Sequence, residues 1–215
     1  MESPIAVTIS RQFGAGGSVI ARQVAQRLGF QYLDREILGH VARKVHEQRQ
    51  ALAGREERLS SLWETFLQVF SLGTPESAYP QPETCRYFSD RELFQLEGEV
   101  IREVAARQSA VIVGRGGFKV LAEHPGLISI FLHADRPLRA AAIRRRLDLE
   151  NDKEALELID ERDRQLVRYL KVMTEVDWLV APNFHLCLDT GRFGEETAVE
   201  MIVQLVGDVR KRMMR

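Results

Sequence analysis

Apolar positions along this chain fall into two kinds of run that take turns. Five short segments, Ala6–Ser10, Phe30–Asp34, Ala110–Arg115, Leu127–Leu132 and Phe184–Asp189, are close to continuously apolar, as strands are when helices cover both faces of their sheet. Between them the apolar residues take helical spacing. Ile20, Ala21, Val24, Ala25 and Leu28 form one stripe, and Phe94, Val100, Ile101 and Val104 form another. A closing helix is predicted over Glu195–Met213, where Ala198, Ile202, Leu205 and Val209 repeat. Strands and helices that alternate in this order predict one three-layer α/β domain over residues 1–215, with a parallel sheet between helices. Ligands of such sheets bind beyond the carboxyl ends of the strands.

The rhythm breaks between residues 46 and 90. A polar run, Glu47-Gln48-Arg49-Gln50, precedes Leu62, Trp63, Phe66, Leu67 and Phe70 at helical spacing, and a Gly/Pro/Ser-rich stretch, Gly73 to Pro82, reads as a loop. The pattern predicts an insertion over 46–90 that covers the site. Its Trp/Phe stripe serves either core packing or a partner surface.

Composition narrows the function classes. With 215 residues the chain suffices for one sizeable core. Thirty basic against 31 acidic residues leave a net charge of -1, which argues against a nucleic-acid binder, because such binding is driven by neutralising phosphates. Any anion site must be local. Cys85 and Cys187 stand far apart with no metal-ligand spacing, so neither a disulfide framework nor a zinc site is expected, and a reducing cytoplasm fits. No leader and no apolar run of the roughly 20 residues that span a bilayer are seen, so no membrane partner is expected.

The chemistry concentrates at the strand ends. Residues 8–25 read as strand, glycine-rich turn and helix, with Gly14-Ala15-Gly16-Gly17-Ser18 in the turn. A helix N-terminus offers unpaired N–H groups and partial positive charge to a phosphate, and glycines permit the backbone angles such a nest requires. Ser18 would place its hydroxyl on Mg²⁺. In the usual phosphate loop a lysine stands where this chain has Gly17, so another cation must replace it. Tyr32-Leu33-Asp34-Arg35 ends the second strand, where Asp34 and Arg35 would face the same crevice. Arg115, within Gly114-Arg115-Gly116-Gly117, ends the third; it reads as a phosphate ligand or as one half of a salt bridge to a neighbouring acid. Arginines gather later: Arg136, Arg139, Arg144, Arg145 and Arg146, then Arg162, Arg164 and Arg168 beside Asp163. They decorate solvated helix faces, or they close over a nucleotide and neutralise charge on a transferred phosphoryl group.

Taken in order, several motifs resemble the cytidylate kinase-like family of P-loop nucleoside monophosphate kinases. They are Ile9-Ser10-Arg11-Gln12 with Gly14-Ala15-Gly16-Gly17, Tyr32-Leu33-Asp34-Arg35, Val113-Gly114-Arg115-Gly116, Phe131-Leu132-His133-Ala134, Asp163-Arg164 with Tyr169-Leu170-Lys171, and Asn183 to Thr190. The resemblance implies a five-stranded parallel sheet, a monophosphate-binding insertion over 46–90 and an arginine-rich lid over 139–171. It implies transfer of the ATP γ-phosphoryl to CMP or dCMP with Mg²⁺. The implied donor cradle is Gly14, Ala15, Gly16, Gly17 and Ser18. Arg11 takes over the lysine's role, while Asp34, Arg35, His40, Arg115 and Arg139 meet the acceptor. Arg145, Arg162, Asp163 and Arg164 complete the lid. True cytidylate kinases differ: they keep the loop lysine, carry Gly-Arg-Asp where this chain has Gly114-Arg115-Gly116, have serine and arginine at the positions of Arg35 and His40, and have an arginine at that of Leu166. A rival reading is a nucleotide-binding regulatory protein that keeps the cradle without turnover.

Overall fold

A computed structural model describes residues 3–51, 62–71 and 89–214. Five strands, β1 (Ala6–Arg11), β2 (Gln31–Leu33), β3 (Ala110–Val113), β4 (Leu127–His133) and β5 (Leu186–Asp189), form one parallel sheet in the order β2-β3-β1-β4-β5. Each predicted strand is present, with shifted ends. β2 stops at Leu33 and β3 at Val113, so Asp34 and Arg115 lie just past the strands and are free to face the crevice.

Side-chain alternation on the central strands builds two cores. Val7 and Ile9 of β1 and Val111 and Val113 of β3 join helix α1 (Gly17–Leu28) and the last helix, α9 (Glu195–Met213), on one face. Ala6, Ala110 and Ile112 point the other way, toward α2 (Arg35–Ala51), α3 (Leu62–Ser71) and α4 (Asp90–Arg107). A slip of one residue in β1 would exchange the two sets. Ile9, Ile20, Ile112 and Ile101 are fully buried, each contributing roughly 1.5–3 kcal/mol relative to exposure.

Several helix limits follow from local chemistry. α1 ends where Gly29 adopts φ 64° and its N–H returns to Ala25 and Gln26, a turn that costs other residues a steric penalty. α4 begins on a capping box in which Ser89 and Glu92 satisfy each other's backbone N–H groups. The polar run at 47–50 lies within α2, which continues through Ala51. Phe66 is buried against α2 and α4, and Trp63 stacks on it at 5.5 Å, so these two stripe residues serve the core. Gly73 to Pro82 and Cys85 lie outside the described residues.

Beyond β4, α6 (Arg136–Leu147) and α7 (Asp152–Thr174) form the predicted arginine-bearing pair. They pack on each other through Ala140, Ile143, Ala155 and Ile159. The far end of α7 is rooted in an aromatic cluster of Phe118, Phe131, Leu170, Trp178 and Phe184. Short helices α5 (Gly117–Val120) and α8 (Thr190–Phe193) follow β3 and β5. No helix among the described residues is long and apolar enough to cross a membrane.

Candidate functional site

The glycine turn after β1 has the backbone of an anion nest. Gly14 and Gly16 adopt φ 89° and 71°, and Gly16 caps α1 without any side-chain hydrogen bond. No side-chain hydrogen bond caps the first amides of α1, and Glu195 Oε1 lies against Gly16 at the edge of the nest. Ser18 stands exposed in that first turn. The loop is braced from beneath by Thr190, whose hydroxyl is buried at 3.0 Å from the Ala15 carbonyl and 3.1 Å from that of His133.

Arg139 and Asp163 clasp the same loop. Phe13 donates its N–H to Asp163 Oδ1 at 2.9 Å, and its carbonyl accepts from Arg139 Nη1 at 3.1 Å. The two side chains close the ring through a 2.6 Å ion pair, and Arg139 Nε reaches the Ala134 carbonyl. Arg139 is thus buried and fully engaged. The Phe13 ring packs against the α6–α7 cluster with Arg146 at 5.5 Å, and α6 lies so close that a Cβ on Gly14 would come within 3.0 Å of the Arg139 carbonyl. Loop and lid form one packed unit.

A second cluster fills the crevice past β2 and β3. Gly114, Arg115 and Gly116 are three consecutive residues at positive φ, 75°, 53° and 64°. For Arg115 this conformation costs about 1–2 kcal/mol. It turns the guanidinium to Glu97 of α4, with Nη2 2.7 Å from Oε1, and to the Tyr169 hydroxyl, to which Nη1 donates at 3.2 Å. The salt-bridge reading of Arg115 is therefore realised in this conformation. The pair lies off hydrogen-bond alignment, since both Glu97 oxygens and Arg115 Nε are buried without hydrogen-bond partners. Burial pushes the Glu97 carboxyl up to about 7 despite the opposing pull of Arg115.

Arg11 enters the same crevice from β1. Its stem runs along Gly17, where a Cβ would sit 2.6 Å from Arg11 Cγ, and its Nη1 is the atom nearest the Cβ position of Gly114. Burial lowers its pKa, Tyr32 and Asp34 oppose the shift, and Arg115 and Arg35 add to it; a guanidinium stays charged regardless. No hydrogen bond or ion pair holds the Arg11 guanidinium among the described residues. Asp34 caps α2, its Oδ1 accepting from Glu36 and Ile37. The Tyr32 hydroxyl is buried without a partner.

The remaining predicted residues divide clearly. Arg35 is exposed at the crevice mouth. His40 is half-buried farther along α2, where burial first, then Lys44 and Arg43, lowers its pKa. Arg145 and Arg162 are exposed, and Arg164 pairs along its own helix with Glu161 at 2.8 Å. Glu97 and Phe13 were not marked by any motif. Glu97 did carry a signal, an acid at helical spacing with Val100 and Ile101 on the face that α4 buries. Among the described residues no cluster of His, Cys, Asp and Glu could hold a metal ion. Mg²⁺ would fit instead at the Ser18 hydroxyl, since this ion typically takes one or two protein oxygens and completes its shell with substrate phosphates.

A model of the cytidylate kinase-like family matches residues 6–192, from β1 through α8. The chain belongs to that family. Like its relatives, this cytidylate kinase-like protein has a kinase-type P-loop fold. A structure of an uncharacterized protein from Eubacterium ventriosum ATCC 27560 is similar over 94% of this chain and 98% of its own, with TM-score 0.69 and 21% identity. Shikimate kinase from Acinetobacter baumannii, solved with shikimate, has TM-score 0.47 and 16% identity over 96% of this chain and 95% of its own. A gluconokinase from Sinorhizobium meliloti 1021 has TM-score 0.49 and 13% identity over 99% of both chains. No curated protein sequence matches.

Proposed function

We propose that this cytidylate kinase-like protein is a phosphotransferase that moves the γ-phosphoryl of ATP to CMP or dCMP with Mg²⁺ in a cytoplasmic setting. One observation carries the reading: the uncapped nest at Gly14–Ser18 opens onto a crevice in which Arg11, Arg35 and Arg115 converge beside Asp34. In phosphoryl transfer the protein mainly positions and neutralises. The loop amides hold the donor's β-phosphate. Mg²⁺, when bound at Ser18, would neutralise phosphate charge. Arg11 brings into the crevice the cation that position 17 lacks. Arg115 swings from Glu97 and Tyr169 to the acceptor's phosphate, and Arg35 lines the entry. Arg145 and Arg162, exposed and without partners among the described residues, serve as lid cations, with Arg164 beside them. Arg139 and Asp163 act indirectly, by holding the loop. No general base is required, because a monophosphate oxygen is already anionic.

The test is transfer of labelled γ-phosphate from ATP to a panel of nucleoside monophosphates, with and without Mg²⁺. Mg²⁺-dependent labelling of CMP or dCMP above the other acceptors supports the reading. A second reading, a nucleotide-binding regulatory protein, is favoured by Arg115 being tied to Glu97. ATP binding without labelling of any acceptor would establish it.

A further inference from the structure

We propose that Arg11 belongs to the acceptor side of the crevice, and that Gly17 and Gly114 are the positioning residues that carry it there. The proposal rests on the phosphotransferase reading. A loop lysine at position 17 would project from the first turn of α1 over the donor nest. Arg11 instead rises from β1, and its side chain follows a slot between two glycines. A Cβ on Gly17 would lie 2.6 Å from Arg11 Cγ and 2.8 Å from its Cβ, and a Cβ on Gly114 would collide with Nη1. Position 17 is therefore the space through which the arginine passes, as well as a place without a lysine.

The direction of that slot decides which phosphate the guanidinium meets. Gly114 follows β3, which lies between β1 and β2. The charged and titratable groups that face Arg11 are Tyr32, Asp34, Arg35 and Arg115, all at the ends of β2 and β3 or the start of α2. The guanidinium lacks a hydrogen-bonding partner among the described residues and lies within electrostatic reach of Tyr32, Asp34, Arg35 and Arg115, so its charge is available to an oxyanion on this side. Once Arg115 leaves Glu97, the two guanidinium groups together would offer planar donors suited to phosphate oxygens. The donor is left to the loop amides and the helix end.

Lysine and Arg11 thus exclude each other, and Gly17→Lys is no restoration. The colliding atoms are the first carbons of the Arg11 side chain, which have little freedom to move.

Calorimetric titration of MgATP and, separately, of CMP into the full chain tests this. Arg11→Met keeps the stem and removes the charge. It is expected to leave MgATP affinity within about twofold and to weaken CMP binding by about tenfold or more. Arg11→Lys, which keeps charge and most of the stem, retains part of the CMP affinity. Circular dichroism confirms that each variant is folded. A loss of MgATP affinity of about tenfold in Arg11→Met, unaltered CMP binding, or tighter MgATP binding in Gly17→Lys with CMP binding intact would each overturn the proposal. Failure of the wild-type protein to transfer phosphate to any acceptor overturns the phosphotransferase reading instead, and the MgATP and CMP titrations still decide where Arg11 acts.

Discussion

Glu97 is a carboxylate enclosed on nearly all sides, facing one arginine at 2.7 Å with both oxygens outside hydrogen-bond alignment. Its folded-state carboxyl holds a proton up to about pH 7, whereas its ordinary value is 4.5. Between those values the folded chain binds more protons than the unfolded one, so stability falls as pH rises through the window. The contribution approaches about 3 kcal/mol. Glu97→Gln removes it. Urea unfolding of wild type and variant at about pH 5 and about pH 8 should show the variant gaining by about 2–3 kcal/mol relative to wild type at the higher pH. Parallel pH curves would mean that the carboxyl is ionised throughout. Gly17 offers a second residue-scale check. Gly17→Ala forces its methyl into the Arg11 stem and is expected to lower stability by about 1–3 kcal/mol. That loss, read from thermal unfolding, should shrink when Arg11 is also shortened to alanine, which removes the contact at Cγ, and should not vanish, because the Cβ at 2.8 Å remains.

Among the elements, α6 and α7 are held to the phosphate loop by a ring of charged hydrogen bonds around one peptide unit. Asp163→Asn keeps the shape but removes the charge that faces a buried Arg139. Folding stability should fall by about 2–4 kcal/mol, and MgATP affinity should fall with it because Phe13 loses its anchor. Retained MgATP affinity in a destabilised variant would separate lid from loop. The helices and strands themselves were legible because their signal is local: the stripe of α1 and the limits Glu195–Met213 follow from spacing within one element. The roles of Arg139 and Asp163 were not. Their shared partner Phe13 lies 126 and 150 residues away along the chain, and nothing in a single sequence distinguishes an arginine that binds backbone from one that awaits a phosphate. Arg115 presents the opposite case: the glycines on either side announced an unusual backbone, and the structure has all three residues at positive φ.

In the whole molecule, β1 lies at the centre of the sheet, with the proposed donor nest directly after it and the proposed acceptor crevice to one side, past β3 and β2. The lid is fixed at both ends, to Phe13 through the clasp and to the sheet through the aromatic cluster around Trp178. Trp178 is 1% exposed and is one of two tryptophans. In a Trp63→Phe background its emission should therefore be blue-shifted, as for a buried indole, and should stay constant on addition of MgATP. A nucleotide-induced shift would show that the base of α7 moves. The sheet order and the division into two cores follow from strand alternation. The polar run at 47–50, where the predicted insertion begins, lies inside helix α2.

The slot that carries Arg11 also constrains how such a loop arises in evolution. Starting from a lysine-bearing ancestor, acquiring the arginine first jams two side chains into one space, and losing the lysine first leaves the site without either cation. The two versions of the loop are thus separated by a mutational valley, and Arg11 and Gly17 should be inherited together or not at all.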